Sequence, residues 1–314
     1  MTLDIVLTED GSLTCADTES GELYHNRAGA YTEALQHYVQ ACDLLSYIKK
    51  QAGVSILDSC FGLGYNSFVF LDYLLRHLSE VKTSAQNFSC QIIGIDKDRN
   101  ILNVIQNVLA QKQFALLREE LELEPKTISQ MIANWQSLGS HEFKLLKPIP
   151  MSITIELKFT DLLQEVQALV ALEQKFDYIF HDGFSPRAMP ELWTVDLFKQ
   201  YVKLMADNGR IITYSSAGAV RGALKECGLE VRKSGPLGGK SGGTVAFKNE
   251  QLEIVDDESI FFLGQEENDR LSTRSGIPYR DPNLNGAKAD IIKRRNDEIK
   301  ESKLSAYKES LDAN

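Results

Sequence analysis

The chain has 314 residues, with 34 Lys and Arg against 44 Asp and Glu, for a formal charge of -10. At 43% hydrophobic and 25% charged it has the composition of a globular chain with one large core or two small ones, which excludes a disordered polyelectrolyte and a collagen. The acidic balance speaks against a surface coated in basic charge for nucleic acid, although a local basic patch can lie within it.

The cysteines Cys15, Cys42, Cys60, Cys90 and Cys227 are scattered without a CxxC, as expected of reduced thiols in a cytoplasmic protein. The N-terminus shows no secretory signal, and no stretch approaches the roughly 18 apolar residues of a membrane span. The histidines show no pairing at metal-ligand spacing, so no metal is expected.

In chain order, Ile5-Val6-Leu7 and Ser12-Leu13-Thr14-Cys15 flank Asp10-Gly11, a hairpin turn. Leu35, Tyr38, Val39, Cys42 and Leu45 predict an amphipathic helix over 29–50. Five strand–helix units then follow: 54–57 with 65–78, 91–95 with 98–113, 152–157 with 162–172, 176–180 with 190–206, and 210–214 with 217–227. Such alternation implies a doubly wound, Rossmann-like α/β fold with a mostly parallel sheet. Leu229 to Arg232 and Thr244 to Phe247 are joined by a glycine-rich loop with no room for a helix, so they should be antiparallel neighbours. That gives seven strands with an antiparallel last one. Residues 114–150 read as a helical insertion between the second and third strands. Residues 256–314 read as a polar arm with a charged helix, either docked or partly disordered.

Three segments carry candidate chemistry. In Leu57-Asp58-Ser59-Cys60-Phe61-Gly62-Leu63-Gly64-Tyr65-Asn66, an apolar strand ends in an acid and two glycines open a helix. A dinucleotide fingerprint would need a third glycine where Ser67 stands. Acids ending three successive strands suit S-adenosylmethionine better. Asp58 would face its positively charged methionine end, Asp96 its ribose hydroxyls and Asp161 its adenine amino group. The second segment, Phe176 to Pro186, puts Asp182 at a strand's carboxyl end, where such sheets bind ligands. Asp182 would orient an amine or take its proton, and Phe184 and Trp193 would stack a base, although Trp193 also reads as a packing residue. His181 reads as a core or supporting histidine. The third, Ser234 to Thr244, lacks the leading glycine and following helix of a P-loop, which leaves Lys240 on a hairpin loop to reach for a phosphate.

Over roughly residues 1–250 the sequence resembles the methyltransferase domain of the tRNA 5-methylaminomethyl-2-thiouridine biosynthesis enzyme, MnmC, including its stand-alone versions. The resemblance is carried by Asp58 to Asn66, by Asp182-Gly183-Phe184-Ser185-Pro186 with Pro190-Glu191-Leu192-Trp193-Thr194, and by Thr213 to Arg221. Cys60 stands where the family usually has glycine, which is tolerated if residue 60 needs no positive φ. The loop Leu237-Gly238-Gly239-Lys240 is less basic than the family's. No segment after 250 is long or glycine-rich enough for the family's flavin oxidase domain, so only the transferase half of the chemistry is implied.

The resemblance implies a methyltransferase domain over 1–255. Its cofactor contacts would come from Asp58, Ser59, Phe61, Gly62, Gly64, Asn66, Asp96, Asp161 and Asp182, with Asp182 catalytic. Substrate contacts would come from Phe184, Pro186, Trp193 and Lys240. The implied acceptor is the aminomethyl nitrogen of 5-aminomethyl-2-thiouridine at the tRNA wobble position, with no DNA and no membrane as partner. Other readings stay open: another RNA position or a small amine as acceptor, a nicotinamide-dependent oxidoreductase, or a binding module without catalysis. Residues 209–248 hold seven basic side chains against two acidic ones, a net +5 in an acidic chain, and the expectation is a local patch for RNA phosphates.

Overall fold

Strands β1 (Ile5–Leu7) and β2 (Leu13–Cys15) pair antiparallel, with Ile5 opposite Cys15, around the turn expected at Asp10-Gly11. The computed structural model describes residues 4–16, 21–78, 87–146, 149–236, 242–248 and 260–312, with side chains described as far as 302. The helix expected over 29–50 is broken into pieces. It comprises α1 (Ala30–Glu33), a π turn Ala34–Val39, a 3₁₀ turn Gln40–Cys42 and α2 (Leu44–Lys50), with Asp43 between them at φ 50°. The break has a visible partner set. Arg210 donates to the Ala41 carbonyl at 2.7 Å and Tyr178 to the Cys42 carbonyl at 2.8 Å, so the groups released from helical bonding are still satisfied.

The main sheet contains β3 (Gly53–Asp58), β4 (Phe88–Asp96), β5 (Ser140–Leu145), β6 (Met151–Phe159), β7 (Phe176–Phe180), β8 (Met205–Thr213), β9 (Leu229–Ser234), β10 (Thr244–Lys248) and β11 (Ile260–Phe262). Their spatial order is β11-β9-β10-β8-β7-β3-β4-β6-β5. The central run from β8 to β6 is parallel, and β10 lies antiparallel between β8 and β9. The seven expected strands are all present, and two antiparallel edge strands are added. β5 comes from the insertion, which is therefore only partly helical: α5 (Ala115–Glu120) and α6 (Pro125–Ser137) precede it. β11 comes from the arm.

Successive strand residues point to opposite faces, and the core divides accordingly. Ile56, Ile92, Tyr178 and Ile212 join one buried cluster, with α3 (Tyr65–Leu78), α4 (Leu102–Leu109) and α6. Leu57, Ile93, Ile179 and Ile211 join the other, with α7 (Leu162–Ala171), α8 (Val195–Leu204) and α9 (Gly218–Glu226). From β3 the chain builds outward through β4 and β6, then returns to the other side through β7 and β8. The crevice between β3 and β7 is therefore the switch point, and Asp58, Asp96 and His181-Asp182 stand at its carboxyl edge.

The described arm is docked. After β11 come α10 (Gln265–Leu271) and α11 (Lys288–Asp312). Between them Tyr279 accepts from Val195 N at 3.0 Å, Asp281 N donates to Asp196 at 2.7 Å, and Arg280 makes a two-point contact with Glu226. Gly222 explains the close fit: a Cβ there would come within 1.9 Å of the Gly276 carbonyl oxygen. No described helix is long and apolar enough to cross a membrane.

Candidate functional site

The turn between β3 and α3 is built by its glycines. Gly62 has φ 52° and Gly64 φ 79°, and a Cβ on Gly64 would lie 2.5 Å from the Phe68 ring. Cys60 is not among the positive-φ residues, so the side chain at this position carries no backbone strain. Under the turn, Asp58 is fully buried. Ser67 Oγ donates to its Oδ2 at 2.7 Å, and its Oδ1 has no partner. Burial pushes its carboxyl well above the usual carboxylate range, with the charges of Asp182 and Asp96 adding to the effect.

A cleft of about 610 Å³ opens at the switch point. Ser59, Gly62, Asp96, Asp161, Asp182 and Phe184 line it. Asp58, Phe61, Gly64, Asn66, Pro186 and Trp193 do not, and the expectations for several of them change. Asp58 cannot present a charge to a ligand from beneath the turn. Phe61 is 2% exposed and packs against Gly64 and Gly94. Trp193 is 0% exposed, donates from Nε1 to the Phe184 carbonyl at 2.8 Å and meets His181 edge-on, so it packs the wall and cannot stack a base. Asn66 acts through another residue, donating to Asp182 Oδ2 at 2.8 Å. Lys240 lies outside the described residues.

Asp96 accepts from Gly62 N and from Asp98 N, both at 2.8 Å. Burial pushes its pKa up to about 6 against those two bonds. Asp161 caps α7 through one oxygen, Oδ1, and is exposed to the cleft. His181 is buried against Ser59 and Tyr201, each 3.0 Å from Nδ1, and burial lowers it to about 3, so it stays neutral as a supporting histidine.

The sequence reading missed the roof of the cleft, residues 22–33. Glu22 accepts from Ser185 N at 2.9 Å and from Ser185 Oγ at 2.6 Å. Tyr24 meets Phe184 edge-on with ring centroids 5.3 Å apart. His25 Nδ1 lies 3.7 Å from Glu33 Oε2 and 4.0 Å from Asp182 Oδ2. Burial raises the Asp182 carboxyl, and His25 only partly offsets it. Carboxylates of Glu22, Glu33, Asp96, Asp98, Asp161 and Asp182 face the cations Arg27 and Lys97, so the cleft is acidic.

The basic patch expected over 209–248 is largely spent inside the protein. Arg221 and Lys233 both contact Glu267, Arg210 lies 3.9 Å from Asp43, and Arg232 pairs with Glu230 at 2.9 Å. The side chains of Arg210 and Arg221 are only 8% and 4% exposed.

Residues 123–249 match the model of an S-adenosyl-L-methionine-dependent methyltransferase family. The crystal structure of MNMC2 from Aquifex aeolicus superposes with a TM-score of 0.67 at 26% identity, over 93% of this chain and 83% of that one. The bifunctional tRNA 5-methylaminomethyl-2-thiouridine biosynthesis protein MnmC of Paraburkholderia phymatum is 28% identical over 70% of this chain. This chain is similar to MnmC proteins and to S-adenosyl-L-methionine-dependent methyltransferases. S-adenosyl-L-methionine is the cofactor of the matched family. The aligned part covers 31% of the Paraburkholderia protein, so this MnmC-like domain corresponds to about a third of that relative. An uncharacterized protein of Methanocaldococcus jannaschii is also 28% identical, over 98% of this chain and 74% of its own length. The residues lining the cleft fit the cofactor: a glycine turn without room for a Cβ, and the carboxylates of Asp96, Asp161 and Asp182.

Proposed function

We propose that this MnmC-like domain methylates the aminomethyl nitrogen of 5-aminomethyl-2-thiouridine at the wobble position of tRNA. The reading rests on the acid-lined cleft, where Asp182 shares the wall with the Phe184–Tyr24 ring pair. An acidic pocket attracts an ammonium and repels a phosphate, so an amine nitrogen is the part of an RNA that it accepts. The name of the Paraburkholderia relative supports the same acceptor. When bound, S-adenosylmethionine supplies an electrophilic methyl group on a sulfonium. Asp96 and Asp161 would hold the cofactor with the backbone of Ser59 and Gly62, and the glycine turn gives it room. Asp182 would orient the amine, and Phe184 would pack a base turned out of its loop.

The test incubates purified protein and S-adenosylmethionine with tRNA carrying the unmethylated aminomethyl group, then digests the tRNA for nucleoside mass spectrometry. The expected result is one added methyl on the wobble nucleoside. Asp182→Asn should keep cofactor binding and lose most of the transfer, and near-wild-type turnover in that variant would refute the assignment. A small free amine is the second reading, favoured by the internal pairing of Arg210, Arg221, Arg232 and Lys233. Turnover of the free nucleoside as fast as the tRNA would favour it.

A further inference from the structure

Resting on that amine-acceptor reading, we infer that His25, braced by Glu33, is the base that takes the acceptor's proton, while Asp182 orients the amine. An ammonium has no lone pair, so one proton must leave before the nitrogen attacks. Asp182 is poorly suited to keep it, since a carboxylate is intrinsically a weaker base than an imidazole, by roughly 2.5 pK units between free Asp and His. Its Oδ2 is also engaged by Asn66. His25 is 7% exposed and lines the same cleft. Its backbone N donates to Thr14 Oγ1 at 3.0 Å and its ring meets Tyr65 edge-on at 4.9 Å, so its orientation is fixed. Both Glu33 Oε2 and Asp182 Oδ2 stand against the same ring nitrogen, Nδ1, so the imidazolium formed when the ring takes a proton is stabilised by two carboxylates. Glu33 is itself anchored, accepting from Asn26 N at 2.9 Å.

The groups facing His25 are Glu33 from α1, Asp182 from the loop after β7, Asp10 from the hairpin loop and the Tyr65 phenol ring from α3. Burial alone would depress the imidazole. The Glu33 contact and the charges of Asp182, Glu33 and Asp10 outweigh it and raise the imidazole above its ordinary value.

The step balances as follows. One N–H bond of the ammonium breaks, its proton goes to the unprotonated ring nitrogen of neutral His25, and the electron pair stays on the amine nitrogen. That pair forms the N–CH₃ bond, while the C–S bond breaks with its electrons remaining on sulfur and cancels the sulfonium charge. The product leaves as a secondary ammonium, and His25 returns its proton to solvent. Activity therefore requires neutral His25 and rises with pH through the His25 titration.

The experiment compares wild type, Glu33→Gln, His25→Gln and His25→Gly on the same aminomethyl tRNA. It combines pH–rate profiles with NMR titration of labelled His25. Glu33→Gln should lower the His25 titration and carry the acidic limb of kcat to lower pH, in step. His25→Gln should lose on the order of 10²-fold in kcat with cofactor affinity retained, and added imidazole should restore turnover to His25→Gly. A merely structural histidine predicts no moving limb and no rescue. An unmoved His25 titration in Glu33→Gln overturns the pair whatever the acceptor, as does an unmoved acidic limb in an active enzyme. An inactive wild type removes the wobble-uridine acceptor, and the NMR result then decides the pair alone.

Discussion

Trp193 offers a sharp test, because the packing and stacking roles predict opposite phenotypes for Trp193→Phe. The indole is 0% exposed and donates to the Phe184 carbonyl at 2.8 Å. Phenylalanine removes about three ring atoms from a close-packed site, roughly 2 kcal/mol at about 0.8 kcal/mol per buried carbon. Loss of the donor leaves the carbonyl unpaired and costs about 1 kcal/mol more, at the low end because that site is partly accessible to water. The sum, about 3 kcal/mol, should lower Tm by roughly 6–12 °C at the usual 2–4 °C per kcal/mol for larger domains. Thermal melts followed by near-ultraviolet circular dichroism would read the loss. Methyl transfer measured well below Tm should keep its KM for the acceptor within a few-fold. A variant with unchanged Tm and a tenfold higher KM would refute the packing role and return Trp193 to the substrate.

Two further perturbations test the frame of the site. Gly64→Ala places a Cβ 2.5 Å from the Phe68 ring and 2.8 Å from the Phe61 ring, at φ 79°. The left-handed strain of about 1–2 kcal/mol adds to about 1–3 kcal/mol of overpacking, so titration calorimetry should show much weaker S-adenosylmethionine binding and a lower Tm; unchanged values in both would contradict a left-handed, close-packed turn at this glycine. Glu267 is opposed by burial, but Lys233, Gly264 N and Arg221 outweigh that and hold its pKa down at about 2 from the ordinary 4.5. A depressed carboxyl stabilises above its unfolded value, and the contribution is lost as pH falls from 4.5 toward 2. Protection of α10 from proteolysis by an acid-active protease should fall across that window in wild type and stay flat in Glu267→Gln.

The sheet was legible because each strand ends in a recognisable stop. The acids Asp58 and Asp96 and the glycine turn mark the carboxyl edge, and the helix over 65–78 begins and ends where the spacing predicts. β5 was obscured by its insertion, although His141, Phe143 and Leu145 alternate with Glu142 and Lys144 as an edge strand should. Summed charge over the basic segment leaves out distant partners: Asp43 and Glu267 lie far away in sequence, yet contact Arg210, Arg221 and Lys233. His25 and Glu33 carried no local signal. Neither belongs to a motif, and only folding sets them against Asp182.

The contact between Glu22 and Ser185 spans 163 residues of chain. The roof of the cleft is made early during synthesis, whereas its opposite wall appears only once β7 and its following loop have emerged. Closing so long a loop is entropically slow and yields nothing until the central strands are paired. Enclosing the cleft therefore waits on β7 and the loop that follows it. A nascent or refolding chain can hold a native sheet and helices while its cleft still lies open to water.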